Sequence, residues 1–150
     1  MTRATSIVFL DETHPIDALE LVAHEENWEF VRDEDNEITV TIVGGWKKYK
    51  VSAVWNVSRS LFKMRCTFEM MPPRKKLVKL YETMNLVNIS DIDGSFTYDS
   101  VEQLMNYNTN ILFSDELIIS NTELRNWVKS STETAEKFYP TFQKSCWGEV

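Results

Sequence analysis

Glu37-Ile38-Thr39-Val40-Thr41-Ile42-Val43-Gly44-Gly45-Trp46-Lys47-Lys48-Tyr49-Lys50-Val51-Ser52-Ala53-Val54-Trp55-Asn56-Val57 is the stretch that decides the fold. Ile38, Val40 and Ile42 alternate with Thr39, Thr41 and Val43, and after the turn Tyr49, Val51, Ala53, Trp55 and Val57 alternate in the same way. A period of two puts one set of side chains on each face of a strand, so each run predicts a strand with one apolar face. Gly44-Gly45 between them is read as the source of the positive φ angles that a two-residue hairpin loop requires.

Outward from this hairpin the pattern continues. Phe30 and Val31 predict a short strand before it, with Asp33-Glu34-Asp35-Asn36 as the turn. After Ser58-Arg59-Ser60, the residues Phe62, Met64, Cys66, Phe68 and Met70 alternate on a fourth strand. A meander is the simplest topology for consecutive antiparallel strands that share an apolar face. On the N-terminal side, Pro15 and Asp17 suit a first helical turn, and Ile16, Leu19, Val22 and Ala23 follow at helical spacing to about Asn27. On the C-terminal side, Pro72-Pro73 opens a second helix with the stripe Leu77, Leu80, Tyr81, Met84 and Val87. Asp93-Gly94 turns the chain into a second hairpin, through Phe96 and Tyr98, then Met105, Tyr107, Thr109 and Ile111. Ser120-Asn121-Thr122-Glu123 is a capping box, and Leu124, Trp127, Val128, Ser131, Ala135 and Phe138 line one face of a long helix that Pro140 is expected to break. The order is α-β-β-β-β-α-β-β-α, an α+β fold in which helices flank an antiparallel sheet.

The chain of 150 residues is expected to form one domain, 1–150. Sixteen basic residues against 23 acidic ones give a net charge of −7, which disfavours nucleic acid and anionic membranes as partners. Apolar runs reach about four residues, as at Ile7 to Leu10, where a membrane span needs about 20. No secretory signal is evident, and two cysteines suit a reducing cytoplasm.

The candidate chemistry is sparse. His14 and His24 lie at opposite ends of one helix, too far apart in sequence to chelate an ion from a common turn, and read as structural or solvated. Cys66 falls on an apolar strand face, which leaves Cys146 as the better candidate for a reactive thiol. Asp91, Asp93, Ser95, Thr97, Asp99 and Glu102 have oxygens at most positions of a calcium loop, but Phe96 stands where the sharp turn needs glycine. The run Arg74, Lys75, Lys76, Lys79 reads as a solvated helix start. Neither a metal nor a cofactor is expected. What remains is a surplus of Trp, Tyr and Met, the residue types enriched where proteins meet. Trp46, Met70, Met71, Trp127 and Trp147 are the candidate contacts.

Phe138-Tyr139-Pro140-Thr141-Phe142-Gln143 with Trp147-Gly148 resembles the C-terminal stretch of the YbjN family of small bacterial proteins. Trp28-Glu29-Phe30, Gly44-Gly45-Trp46 with Tyr49, Cys66-Thr67-Phe68, Pro72-Pro73, Asn85 and Gly94-Ser95-Phe96 extend the resemblance from about Ile16 to Gly148. The resemblance implies a fold similar to type III secretion chaperones, a twisted antiparallel sheet flanked by helices and often paired as a homodimer. It implies no catalytic residues, and a loosely defined regulatory role in sensory transduction or stress. The expected function is a non-enzymatic, cytoplasmic protein-binding module, chaperone-like or regulatory. The competing expectation is a small-ligand sensor or minor enzyme, with a pocket between sheet and helices that uses Cys146 or a buried carboxylate.

Overall fold

The structure, a computed structural model, describes residues 14–113 and 120–148. The run Ile7 to Leu10 therefore lies outside the described residues. Helix α1 (Pro15–Glu26) is followed by strands β1 (Glu29–Glu34), β2 (Glu37–Val43), β3 (Lys48–Asn56) and β4 (Leu61–Glu69). A short 3₁₀ turn at Arg74–Lys76 leads into α2 (Leu77–Asn88), then β5 (Ser95–Asp99), β6 (Leu104–Leu112) and α3 (Asn121–Trp147). All pairings are antiparallel, and the six strands lie in the order β1-β2-β3-β4-β6-β5. The first four form the expected meander, and the second hairpin joins it through β6.

Alternation decides which face is covered. Ile38, Val40, Tyr49, Val51, Ala53, Phe62, Met64, Cys66, Phe68, Met105 and Tyr107 all point into the core, beneath Leu19 and Val22 of α1, Leu80 and Met84 of α2, and Leu124, Val128 and Phe142 of α3. Each fully buried Val, Leu, Ile, Phe or Met side chain among them contributes about 1.5–3 kcal/mol. Among the described residues none covers the opposite face, an arrangement that antiparallel sheets allow.

The helix ends follow local chemistry. His14 caps α1: its Nδ1 accepts the Ile16 amide at 3.1 Å, and Asn27 ends the helix in the left-handed conformation at φ 59°. Ser120 Oγ accepts the Glu123 amide at 3.1 Å, while Glu123 Oε1 accepts the Ser120 amide at 3.0 Å, which completes the capping box. Arg125 of α3 reaches Glu25 at 2.6 Å and Glu26 at 2.9 Å, tying α3 to the end of α1.

Two expectations fail here. Pro140 does not break the last helix, which runs on to Trp147. Proline removes one donor, the partner of the Glu136 carbonyl, but Phe142 and Cys146 beyond it are buried, and their burial outweighs the loss. Nor do Gly44 and Gly45 have positive φ; among the described glycines only Gly148 does. The loop is longer than two residues, with Val43 paired to Lys48 and the Gly44 amide bonded to the Lys47 carbonyl at 2.8 Å. Glycine is needed at position 44 for space: a Cβ there would lie 2.5 Å from Tyr49 Cε2 and 2.9 Å from Glu136 Cδ.

Candidate functional site

The residues proposed as contacts from sequence separate sharply. Trp46 (58% exposed), Met71 (59%) and Trp147 (44%) reach the surface. Met70 is 2% exposed and belongs to the core, where its carbonyl accepts the Tyr98 hydroxyl at 2.5 Å. It continues, one residue past the end of β4, the alternation of Phe62, Met64, Cys66 and Phe68, and that alternation was the better guide to its place. Trp127 is partly buried: its ring lies 5.2 Å from that of Phe62, and its Nε1 donates to Thr109 Oγ1 at 3.1 Å. Met70 cannot anchor a partner without disturbing the core, and Trp127 presents only part of its ring to the surface.

The most elaborate polar arrangement holds Trp46 in place. Glu136, from the middle of α3, accepts the amides of Gly45 (2.7 Å) and Trp46 (2.9 Å) and the hydroxyl of Tyr49. Successive amides turned toward one carboxylate form an anion-binding concavity in the hairpin loop. Burial pushes the Glu136 carboxyl up, but the bonds from Tyr49, Trp46, Gly45 and Lys47 outweigh it and hold the group below the usual range. Burial first, and then the bond to Glu136, push the Tyr49 phenol well above its ordinary value, so it stays a donor. Trp46 also rests on Tyr139, with ring centroids 5.8 Å apart. The arrangement fixes a loop against a helix 90 residues later in the chain. Sequence reasoning missed Glu136 because nothing local marks it; two consecutive glycines four residues before a tyrosine were the available hint of a close approach.

The thiols are spent on packing. Cys66 is fully buried, and burial pushes its thiol up to about 12. Cys146 is also buried; burial raises it, and Ser145 and the Lys76 ammonium offset only part of that effect. Cys146, expected to be the likelier reactive thiol of the two, is thus buried as well, and it fills the contact between the end of α3 and the rest of the core. Asp99, in the segment whose oxygen spacing approaches that of a calcium loop, closes the β5–β6 turn, accepting the amides of Val101 and Glu102 at 3.0 Å each. Among the described residues no group of three His, Cys, Asp or Glu is placed to hold a metal ion, and no helix is long and apolar enough to cross a membrane.

The least satisfied apolar surface is on α2. Leu80, Met84 and Val87 face the core, which turns Val78, Tyr81, Leu86 and the following Ile89 outward, all exposed. Tyr81 thus leaves the buried stripe to which its spacing assigned it. The helix is held rigidly at its end, where Asn88 acts as an extra strand residue: its Oδ1 accepts the Phe96 amide at 2.7 Å and its Nδ2 donates to the Phe96 carbonyl at 2.9 Å. Arg74, Lys75, Lys76 and Lys79 are exposed around its start.

Comparison with known proteins agrees with this architecture. Residues 15–144 match the YbjN family, whose description is "Putative bacterial sensory transduction regulator". Among solved structures, the crystal structure of YbjN, "a putative transcription regulator from E. coli", superposes with a TM-score of 0.59 at 9% identity, covering 81% of this chain and 86% of that one. No curated protein matches. The chain belongs to the YbjN family.

Proposed function

We propose that this YbjN-family chain is a non-enzymatic regulatory module of the cytoplasm that works by holding another polypeptide. The outer face of α2 is the docking surface, and a second copy of the chain is its first occupant. The observation that carries this reading is the group Val78, Tyr81, Leu86 and Ile89, four large apolar side chains along α2 and its C-cap that the described residues leave exposed. Exposed apolar side chains gathered in one place mark contact surfaces, whereas single ones need no explanation. A 12-residue helix is about 18 Å long, and two copies related by a twofold axis would present the same patch to each other. The description of the family as a sensory transduction regulator supports a regulatory role. Two free, buried thiols suit a reducing compartment.

The test is the mass of the intact protein by light scattering over a dilution series, for wild type and for Val78→Glu and Ile89→Glu. The expected result is a wild-type dimer and monomeric variants with unaltered circular dichroism. The same proteins serve as baits for partner capture. A wild type that is monomeric, binds no apolar dye and retrieves no partner lost by the variants would remove the basis of this reading.

A further inference from the structure

The uncovered face of the sheet carries a feature that the apolar reading does not use. Its outward positions on the two central strands include Lys48 and Lys50 on β3 and Lys63 and Arg65 on β4, all exposed. Register orders them: Arg65 lies opposite Ser52, and Lys63 opposite Val54. Along the strand axis the cations therefore fall at the levels of residues 48, 50, 52 and 54. With a rise of about 3.4 Å per residue, they are about 7 Å apart over a row of about 20 Å. None of the four belongs to an ion pair among the described residues; those involve Arg32, Arg125 and Lys129. Four cations in line, outside any ion pair among the described residues, concentrate positive charge on the central strands of a chain of net charge −7.

The surroundings are built for hydrogen bonding. Arg65 is steadied through its Nε, which donates to Asn108 Oδ1 at 3.0 Å and leaves the terminal nitrogens of the guanidinium for a carboxylate. Asn108 in turn donates to the Ser95 carbonyl at 3.2 Å and Thr97 Oγ1 at 3.1 Å, and Thr67 donates to Asn106 at 2.9 Å. Two open hollows flank the row. One, of about 530 Å³, is lined by Ser52, Lys63, Arg65, Asn108 and Asn110 among others, and one of about 450 Å³ by Lys48, Lys50 and Thr67 among others. Glu37 borders the first hollow and Glu69 the second.

We infer that this face binds an extended acidic segment of a partner protein, with carboxylates at alternate positions, laid along the direction of β3 and β4. An extended chain places every second side chain on one side at about 7 Å intervals, which matches the cation row. The outward positions of the six strands carry no aromatic side chain on which bases could stack, so single-stranded nucleic acid fits poorly. The bordering Glu37 and Glu69 disfavour a polyanion longer than the row. The inference deepens the protein-binding reading with a second surface of different chemistry, on the sheet face that the helices leave open.

The experiment is fluorescence polarisation with the full chain and a labelled octapeptide of alternating glutamate and threonine. Comparison probes replace each glutamate with glutamine, gather the four glutamates together, or substitute a twelve-nucleotide oligothymidylate. The alternating peptide should bind at low salt and weaken as salt rises, with the glutamine peptide at least about tenfold weaker. Lys63→Gln and Arg65→Gln should each weaken binding about two- to fivefold, as exposed ion pairs do. The fourfold glutamine variant should abolish it, while Ile89→Glu leaves it unchanged. Equal binding of the glutamine or clustered peptide, tighter binding of the oligonucleotide, or unaltered binding by the fourfold variant would overturn the inference. Should that variant fail to fold, the peptide comparisons on the wild type still decide.

Discussion

Replacing Glu136 with alanine removes three hydrogen bonds with one side chain, and their sizes can be worked out separately. The amides of Gly45 and Trp46, at 2.7 and 2.9 Å, lie near solvent and regain water, so each accounts for a fraction of the roughly 1.5–3 kcal/mol of a bond to a charged group. Tyr49 is different: it is fully buried, and its hydroxyl would lose its acceptor at about 1–3 kcal/mol. Together these predict a loss of about 3 kcal/mol for Glu136→Ala. In a chain of this length that lowers Tm by about 6–12 °C. Glu136→Gln keeps an acceptor and should lose about half as much. Tyr49→Phe removes the stranded hydroxyl, so a double-mutant cycle with Glu136→Ala should show coupling of about 1–2 kcal/mol. The assay is urea unfolding followed by tryptophan fluorescence and circular dichroism.

The pH dependence follows from the direction of the Glu136 shift. Its carboxyl titrates lower in the folded chain than in the unfolded one, where an ordinary glutamate titrates near 4.3. The unfolded state therefore takes up this proton first on acidification. The advantage of wild type over Glu136→Gln is complete above that range and disappears as pH falls through the lower folded value. A loss below about 1 kcal/mol for Glu136→Ala, additivity with Tyr49→Phe, or a wild-type advantage that grows in acid would refute the account.

Gly44→Ala should destabilise by about 1–3 kcal/mol through overlap with Tyr49, while Gly45→Ala, whose Cβ would meet only Glu136 Oε1 at 3.1 Å, should cost less; thermal unfolding of the pair checks it. Because Pro140 withholds an amide from a helix that continues past it, Pro140→Ala should retain the fold and gain up to about 1 kcal/mol, measured by urea unfolding and helical circular dichroism. Native protein at pH 8 should leave both thiols nearly unreactive toward a thiol-exchange reagent, with Cys66 and Cys146 reacting only when denaturant opens the core. Fast labelling of Cys146 without denaturant would contradict its burial.

What could be read from the sequence was what repeats locally. The alternation from Ile38 to Phe68 placed three strands and their buried face, and Ser120 with Glu123 located the start of α3 to the residue. Single residues set against a distant partner were not legible. Pro140 obeys its local rule only until the burial of Phe142 and Cys146 is counted. Gly44 answers to a carboxylate 92 residues away, which no turn preference anticipates. Composition likewise marked five aromatic and Met positions as possible contacts without separating them. Met71 and Trp147 reach solvent, whereas Met70, one residue from Met71, is buried, because alternation and not residue type decides which side chain a strand turns inward. The cationic row was invisible for a related reason: its members come from two strands, and only the register aligns them.

The position of α3 at the end of the described chain matters during synthesis. It crosses the covered face from Phe62 to Phe96, laying Trp127, Phe138 and Phe142 over strands that have all been made before it. While the ribosome is still adding these 27 residues, α1 and α2 are the described helices already made that can shield rings such as Phe62, Phe68 and Phe96. A chain stalled before Leu124 would expose that surface to other nascent chains, so a stop codon placed at Leu124 should give insoluble product, not a shortened folded protein.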